Sequence, residues 1–150
     1  SAMSVAEDQA GFAMEVFAAR SIGHATLDIS DRHKTTSQRL ISFSGAEDTR
    51  AKTYDVAQLL AHPDTIVDSA TGLFAPADAV IEMNCARSEI AAVESSSNST
   101  SDSAQSRTTA ENSSDDSRQQ SLGILTSMIA DRVDLALTWG YPSFDEALFE

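Results

Sequence analysis

The sequence predicts a single α+β domain in which three or four helices pack on a short antiparallel β-hairpin. Three observations lead to this prediction. The length of 150 residues fits one domain, two long stretches repeat apolar residues at helical spacing, and a shorter stretch alternates apolar and polar residues as a half-buried strand does. An all-α domain is the nearest alternative.

The clearest helical patterns lie on the two sides of a serine-rich tract. Before the tract, apolar residues follow at spacings of three and four: Ala79, Met83, Ala86, Ile90 and Val93. After it, a second apolar stripe predicts the most buried helix: Leu122, Leu125, Ile129, Val133 and Ala136. Weaker patterns predict helices over residues 5–20 and 46–62, the second ended by Pro63.

The start of the first helix is predicted from a capping box. Ser4 and Glu7 have the Ser-x-x-Glu spacing in which the two side chains satisfy free backbone N–H groups at a helix N-terminus. Residues 1–3 resemble a remnant of cloning, so we take residues 4–150 as the domain.

The β-hairpin is predicted between residues 25 and 45. Residues 25–29 alternate apolar and polar side chains, and residues 40–43 indicate a second strand that ends at Gly45. The loop between these strands then presents four basic side chains: Arg32, His33, Lys34 and Arg39.

The serine-rich tract, residues 94–120, has no apolar side chain larger than alanine. Because it cannot bury enough apolar surface to offset the entropy of ordering, we expect a long, flexible, acidic insertion between two core helices. Three positions match acid-directed phosphorylation, with an acid three residues later: Ser99, Thr108 and Ser113.

The charge distribution limits the choice of partner. A net charge of −13 argues against nucleic acid and anionic membranes, which need clustered lysine and arginine. Residues 20–52 nevertheless carry six basic and four acidic side chains. We therefore predict that the basic loop contacts an acidic protein partner, the alternative being neutralisation within the chain.

The C-terminal segment is a second candidate surface. It comprises residues 137–150 and holds four of the nine aromatic residues of the chain, interspersed with acidic residues. Such a segment either packs over the core as a lid or anchors in the groove of a partner. Trp139 belongs to the core in this interpretation, whereas the anchor residues are Phe144, Leu148 and Phe149.

No sequence motif predicts an enzyme. The chain has neither a glycine-rich phosphate loop nor a Gly-x-Ser-x-Gly elbow, and its histidines and Cys85 lack the spacing of a zinc site. We predict a non-enzymatic interaction or regulatory module without metal or cofactor, with an enzyme of unrecognised family as the alternative. A single cysteine favours a reducing compartment, the cytosol or nucleus.

Overall fold

Helices form most of the structure. The computed structural model describes residues 1–45, 47–101 and 112–143, with side chains other than those of residues 96–101 and 112–118. In this part of the chain the elements are α1 (Ala2–Ala19), α2 (Leu27–Ser44), α3 (Ala57–Ala61), β1 (Ile66–Val67), β2 (Phe74–Ala75), α4 (Ala77–Ser101) and α5 (Asn112–Thr138). The two short strands pair antiparallel, with Ile66 opposite Ala75. The fold is therefore mostly helical with a small sheet.

Helix α1 begins earlier than predicted. Ser1 is its N-cap and forms the capping box with Ser4, so residues 1–3 take part in this helix. Met3 is buried. Glu7, which the predicted capping box would place at the exposed start of the helix, lies one turn further in and is buried.

The predicted β-hairpin over residues 25–45 is wrong, because this segment forms α2. The Thr26 side chain accepts a hydrogen bond from the Ile29 N–H at the start of the helix, and Gly45 ends it in the left-handed conformation. Leu27, part of the apparent strand pattern, is 59% exposed. The buried face of α2 consists instead of small or polar side chains: Ser30, His33 and Ser37.

Helices α1 and α2 run antiparallel in close contact. The Ser30 hydroxyl donates to the Gly11 carbonyl at 2.7 Å, and the Ser37 hydroxyl donates to the Ser4 carbonyl at 2.6 Å. A Cβ added at Gly11 would lie 3.1 Å from the Ser30 carbonyl oxygen. Small residues at this interface therefore allow the two backbones to approach.

The apolar core lies mainly between α1 and α4. Its larger members are Met14, Phe17, Val80, Ile81, Met83, Trp139 and Tyr141. The stripe predicted on α4 is confirmed for Ala79, Met83 and Ala86, which are buried, but not for Ile90, which is exposed. The prediction that α5 is the most buried helix is wrong, since Leu122 is exposed and the two buried residues among its described side chains are Arg132 and Ala136.

Helices α4 and α5 are antiparallel, since Gly140 lies beside Pro76 and Arg132 faces Glu82. Both continue into the serine-rich tract, to Ser101 and from Asn112, so the structure differs from the expected insertion at both ends. Residues 102–111 lie outside the described part. We call residues 90–101 and 112–124 the arm; they lie beyond Glu89 of α4 and Arg132 of α5, whose side chains interact with Glu7 of α1.

Among the described residues 47–62 the one helical stretch is α3, contrary to the helix predicted over residues 46–62. Residues before α3 instead lie along α1. The Tyr54 hydroxyl donates to Asp8 at 2.9 Å, and the Tyr54 ring meets Phe12 edge-on at 5.8 Å between centroids. The Tyr54 side chain therefore anchors an irregular segment to α1.

None of the helices within the described ranges combines the length and apolarity that a bilayer crossing requires.

Candidate functional site

Each of the four long helices sends an ionisable side chain into the interior. We call these residues the charge cluster: Glu7 of α1, His33 of α2, Glu82, Cys85 and Glu89 of α4, and Arg132 of α5. Their exposed fractions range from 0 to 6%. The cluster is therefore closed to solvent, and its groups depend on one another for partners.

His33 connects three helices through its ring nitrogens. Nδ1 lies 2.6 Å from Glu7 Oε2, and Nε2 lies 3.0 Å from Glu82 Oε1. Burial opposes the charged imidazolium, but the two acids outweigh burial and raise the pKa of His33. The charged ring donates to both carboxylates.

Glu7 is paired from two directions. Besides His33, the guanidinium of Arg132 donates to both carboxylate oxygens, from Nε at 3.2 Å and from Nη2 at 3.1 Å. Burial favours the protonated acid, but the His33 hydrogen bond and the charges of His33 and Arg132 together lower the pKa of Glu7. Glu7 is thus a buried and well-paired carboxylate.

Glu89 and Glu82 leave acceptor oxygens without partners. Both oxygens of Glu89 and Oε2 of Glu82 are buried and make no hydrogen bond to the rest of the described chain. Arg132 Nε lies 3.8 Å from Glu82 Oε2. Burial, followed by the nearby Glu7 carboxylate, raises the pKa of Glu89 to about 9. Glu89 is therefore protonated at neutral pH, and it ionises only when a further positive group binds beside it.

Cys85 is a free thiol inside the cluster. Burial raises its pKa, and the Glu7 and Glu89 carboxyl groups add to the shift. Cys85 is therefore not an activated nucleophile in this state. It lies at the bottom of a cleft of about 130 Å³ between α1 and α4, whose rim includes Gln9 and Asn84. One ligand atom from each of Glu7, His33 and Cys85 lies within 4.8 Å of the others.

The four basic residues predicted to share one loop lie in different surroundings on α2. His33 is fully buried, so its predicted contact with a partner at the surface is wrong. Lys34 pairs with Glu15 of α1, which is neutralisation within the chain. Arg32 and Arg39 are exposed on α2 rather than on a hairpin loop.

The other predicted site residues lie at or beyond the limits of the described chain. Ser99 lies in α4 and Ser113 in α5, near the end of the arm, but their side chains are not described. Thr108 falls outside the described residues, as do the anchor residues Phe144, Leu148 and Phe149. Trp139 is buried, as predicted.

A second buried network fixes the β-hairpin to α4 and the end of α5. Arg87 Nη2 donates to Asp68 Oδ2 at 2.6 Å and to the Tyr141 hydroxyl at 2.7 Å. The Tyr141 hydroxyl in turn donates to Asp68. All polar groups of this network are paired, which distinguishes it from the charge cluster.

Sequence reasoning did not find the charge cluster. One signal was present: Glu82 and Glu89 fall on the helical stripe of Ala79, Ala86 and Val93, so two acids interrupt a core-facing pattern. Glu7 and Arg132 gave no comparable signal, because their partners lie far away along the chain.

The chain matches no protein-family model, no curated protein and no solved structure.

Proposed function

We propose that the chain is a non-enzymatic interaction or regulatory module whose partner is another protein. The observation that supports this proposal is the closure of the charge cluster. An enzyme presents its perturbed ionisable groups to substrate in a pocket. Here Glu7, His33 and Glu89 have shifted pKa values but are 0% exposed, so a substrate reaches them only if the helices separate.

The arm supplies the surface of contact. Ile90, Leu122 and Ile124 are 41%, 49% and 58% exposed, and all three lie in the arm. Burying one such side chain against a partner contributes about 1.5–3 kcal/mol. A partner that packs a helix or a groove against the arm would bury these three side chains, as α1 buries the apolar side chains at the start of α4.

Charged residues give the contact its selectivity. Arg32 and Arg39 are seven residues apart and share one face of α2, so they favour an acidic partner. Phosphates on Ser99, Thr108 and Ser113 would add negative charge near the arm and weaken an acidic partner's binding. The C-terminal residues Phe144, Leu148 and Phe149 remain the candidate anchor, and the proposed compartment is the cytosol or nucleus.

The experiment compares the parent with the Ile90→Asp/Ile124→Asp double variant. Purified chain is used as bait in cell extract, bound proteins are quantified by mass spectrometry, and affinity for the enriched partner is then measured by titration. We expect the double variant to bind at least about tenfold more weakly, because two apolar contacts are replaced by charges that must be desolvated.

The matched control is Leu137→Asp, which introduces the same charge on α5 outside the arm at a residue that is 38% exposed. It should keep the affinity of the parent. Sedimentation velocity of all three proteins tests whether the partner is a second copy of the chain. Equal affinity of parent and double variant for every enriched protein, with no self-association, contradicts the proposal.

A further inference from the structure

We propose that the charge cluster binds one divalent transition-metal ion of the zinc class, held by Glu7, His33, Cys85 and Glu89. This metal site goes beyond the proposed protein contact and is independent of the arm. The first observation is geometric: a carboxylate oxygen, an imidazole nitrogen and a thiol sulfur from three residues all lie within 4.8 Å of one another.

This spacing is close to that of a tetrahedral site. Zinc bonds of about 2.0–2.3 Å place neighbouring ligand atoms roughly 3.3–3.8 Å apart. On binding, His33 Nδ1 and Glu7 Oε2 would exchange their 2.6 Å hydrogen bond for bonds to the ion and separate by roughly 0.7 Å, while the Cys85 sulfur would approach by about 1 Å.

Glu89 provides the fourth ligand and the second, independent observation. It lies four residues after Cys85, on the same face of α4, and its nearby carboxyl group contributes to the shifted pKa values of Glu7 and Cys85. Its side chain is completely buried, and in the described part of the chain its carboxyl neighbour is the Glu7 acid, with no donor group of another residue bonded to either oxygen. Buried polar groups normally have partners, and a bound cation satisfies both oxygens.

Glu82 and Arg132 would not bind the ion themselves but would hydrogen-bond to two of its ligands, His33 and Glu7. When the metal binds His33 Nδ1, the Nε2–H donates to Glu82 Oε1, which lies 3.0 Å away and fixes the ring. Arg132 holds Glu7 from the opposite side. With the ion bound, the carboxylates of Glu7, Glu82 and Glu89 and the Cys85 thiolate carry four negative charges, of which Arg132 and the divalent ion offset three.

The donor set selects the metal class. A thiolate and an imidazole favour zinc or cobalt(II), whereas magnesium and calcium require oxygen ligands throughout. Cys85 lines the cleft between α1 and α4 together with polar side chains such as Gln9 and Asn84, so an ion would reach the closed cluster from this cleft when the two helices separate locally.

The test measures zinc affinity by competition with a chromophoric chelator, using the full chain. We expect one zinc ion per chain, and at least tenfold weaker binding in Cys85→Ser and in Glu89→Gln. Cobalt(II) added to the parent should give thiolate-to-metal charge-transfer absorption and the visible bands of a tetrahedral complex. The His24→Gln/His62→Gln variant, which removes the two histidines outside the cluster, should bind zinc as the parent does.

Cobalt absorption by the parent keeps the test decisive if a cluster variant fails to fold. The proposal is overturned if the parent binds no zinc, if zinc affinity is unchanged in folded Cys85→Ser and Glu89→Gln, or if the cobalt complex lacks the thiolate band. The Ile90→Asp/Ile124→Asp variant should retain zinc affinity, so failure of the metal site and failure of the protein contact give different results.

Discussion

Asp68 is a buried carboxylate whose surroundings favour its ionised form. Burial alone raises its pKa, but hydrogen bonds from Tyr141 and Arg87 outweigh burial, and the pKa of Asp68 falls below its ordinary value of 3.8. Because the folded pKa is the lower one, Asp68 contributes stability that is fully present above pH 3.8 and is lost as the pH falls through the folded value.

We predict that Asp68→Asn destabilises the protein by about 2–4 kcal/mol at pH 7, since the Arg87 guanidinium loses a buried ionic partner. The difference between parent and variant should begin to shrink below about pH 3.8, where the unfolded parent takes up a proton at Asp68 before the folded parent does. Urea unfolding at pH 7 and at pH 3 measures both effects.

Asp64→Asn is the control for this prediction, because Asp64 is exposed just before the same hairpin. It should change the free energy of unfolding by less than about 0.5 kcal/mol at either pH. A parent–variant difference for Asp68→Asn that stays constant from pH 7 to pH 3 would show that the Asp68 carboxylate does not carry the effect.

Single residues also show where sequence prediction reached its limit. His33 and Cys85 lack zinc-site spacing in the sequence, but side chains supplied by different helices can meet without any fixed spacing. His33 meets Glu7 and Glu82 at separations of 26 and 49 residues. Whether a charged residue is buried depends on partners of this kind, which a local pattern cannot contain.

At the scale of elements, sequence patterns predicted helices that bury apolar residues. They missed α2, whose buried face is made of small or polar side chains. The stripe of Ala79, Met83 and Ala86 predicted α4 because apolar burial at helical spacing is a direct signal. Helix α2 buries Ser30 and Ser37 against another backbone instead. The sequence signal for α2 is a repeat of small residues, and a search for apolar periodicity does not detect such a repeat.

We predict opposite effects for alanine at two helical glycines. Gly11→Ala should destabilise the protein by about 1 kcal/mol or more, since the new Cβ would lie 3.0–3.1 Å from atoms of Lys34, His33 and Ser30, one of them a backbone oxygen. Gly123→Ala, with no atom within 4 Å of the added Cβ, should stabilise it by up to about 1 kcal/mol.

Both glycine variants gain the same helix propensity, so their difference isolates the contact between α1 and α2. Urea unfolding midpoints measure it. Stabilisation of equal size in the two variants would mean that α2 moves away from Gly11 at little energetic cost, and that the close approach is not required.

At the scale of the whole molecule, the broad class was predictable and the arrangement was not. Helices beside a small sheet were expected, but the strands lie at residues 66–67 and 74–75 rather than in α2. Which helices pack together is decided by the fit of their buried faces. In this protein part of that fit is ionic, through His33 and Arg132.

We predict that Arg132→Met destabilises the protein by about 3–5 kcal/mol, because buried Glu7 loses the guanidinium that donates to both of its oxygens. Glu7→Gln in the Arg132→Met background should cost much less than Glu7→Gln alone, giving a coupling energy of about 1–3 kcal/mol in a double-mutant cycle. Arg32→Met, at an exposed arginine, should stay within about 0.5 kcal/mol of the parent. Additive losses, or equal effects at the two arginines, would contradict this prediction.

The ion pair of Glu7 with Arg132 also orders events during protein synthesis, since 125 positions separate the two residues. At about 5–20 residues per second, a ribosome takes roughly 6–25 s to pass from one codon to the other. Throughout that interval the nascent α1 has an acid on its core face and no guanidinium to meet it, so closure of the helices waits for α5. A nascent chain stalled before Arg132 should therefore remain sensitive to protease, and it should become resistant only when α5 has left the exit tunnel.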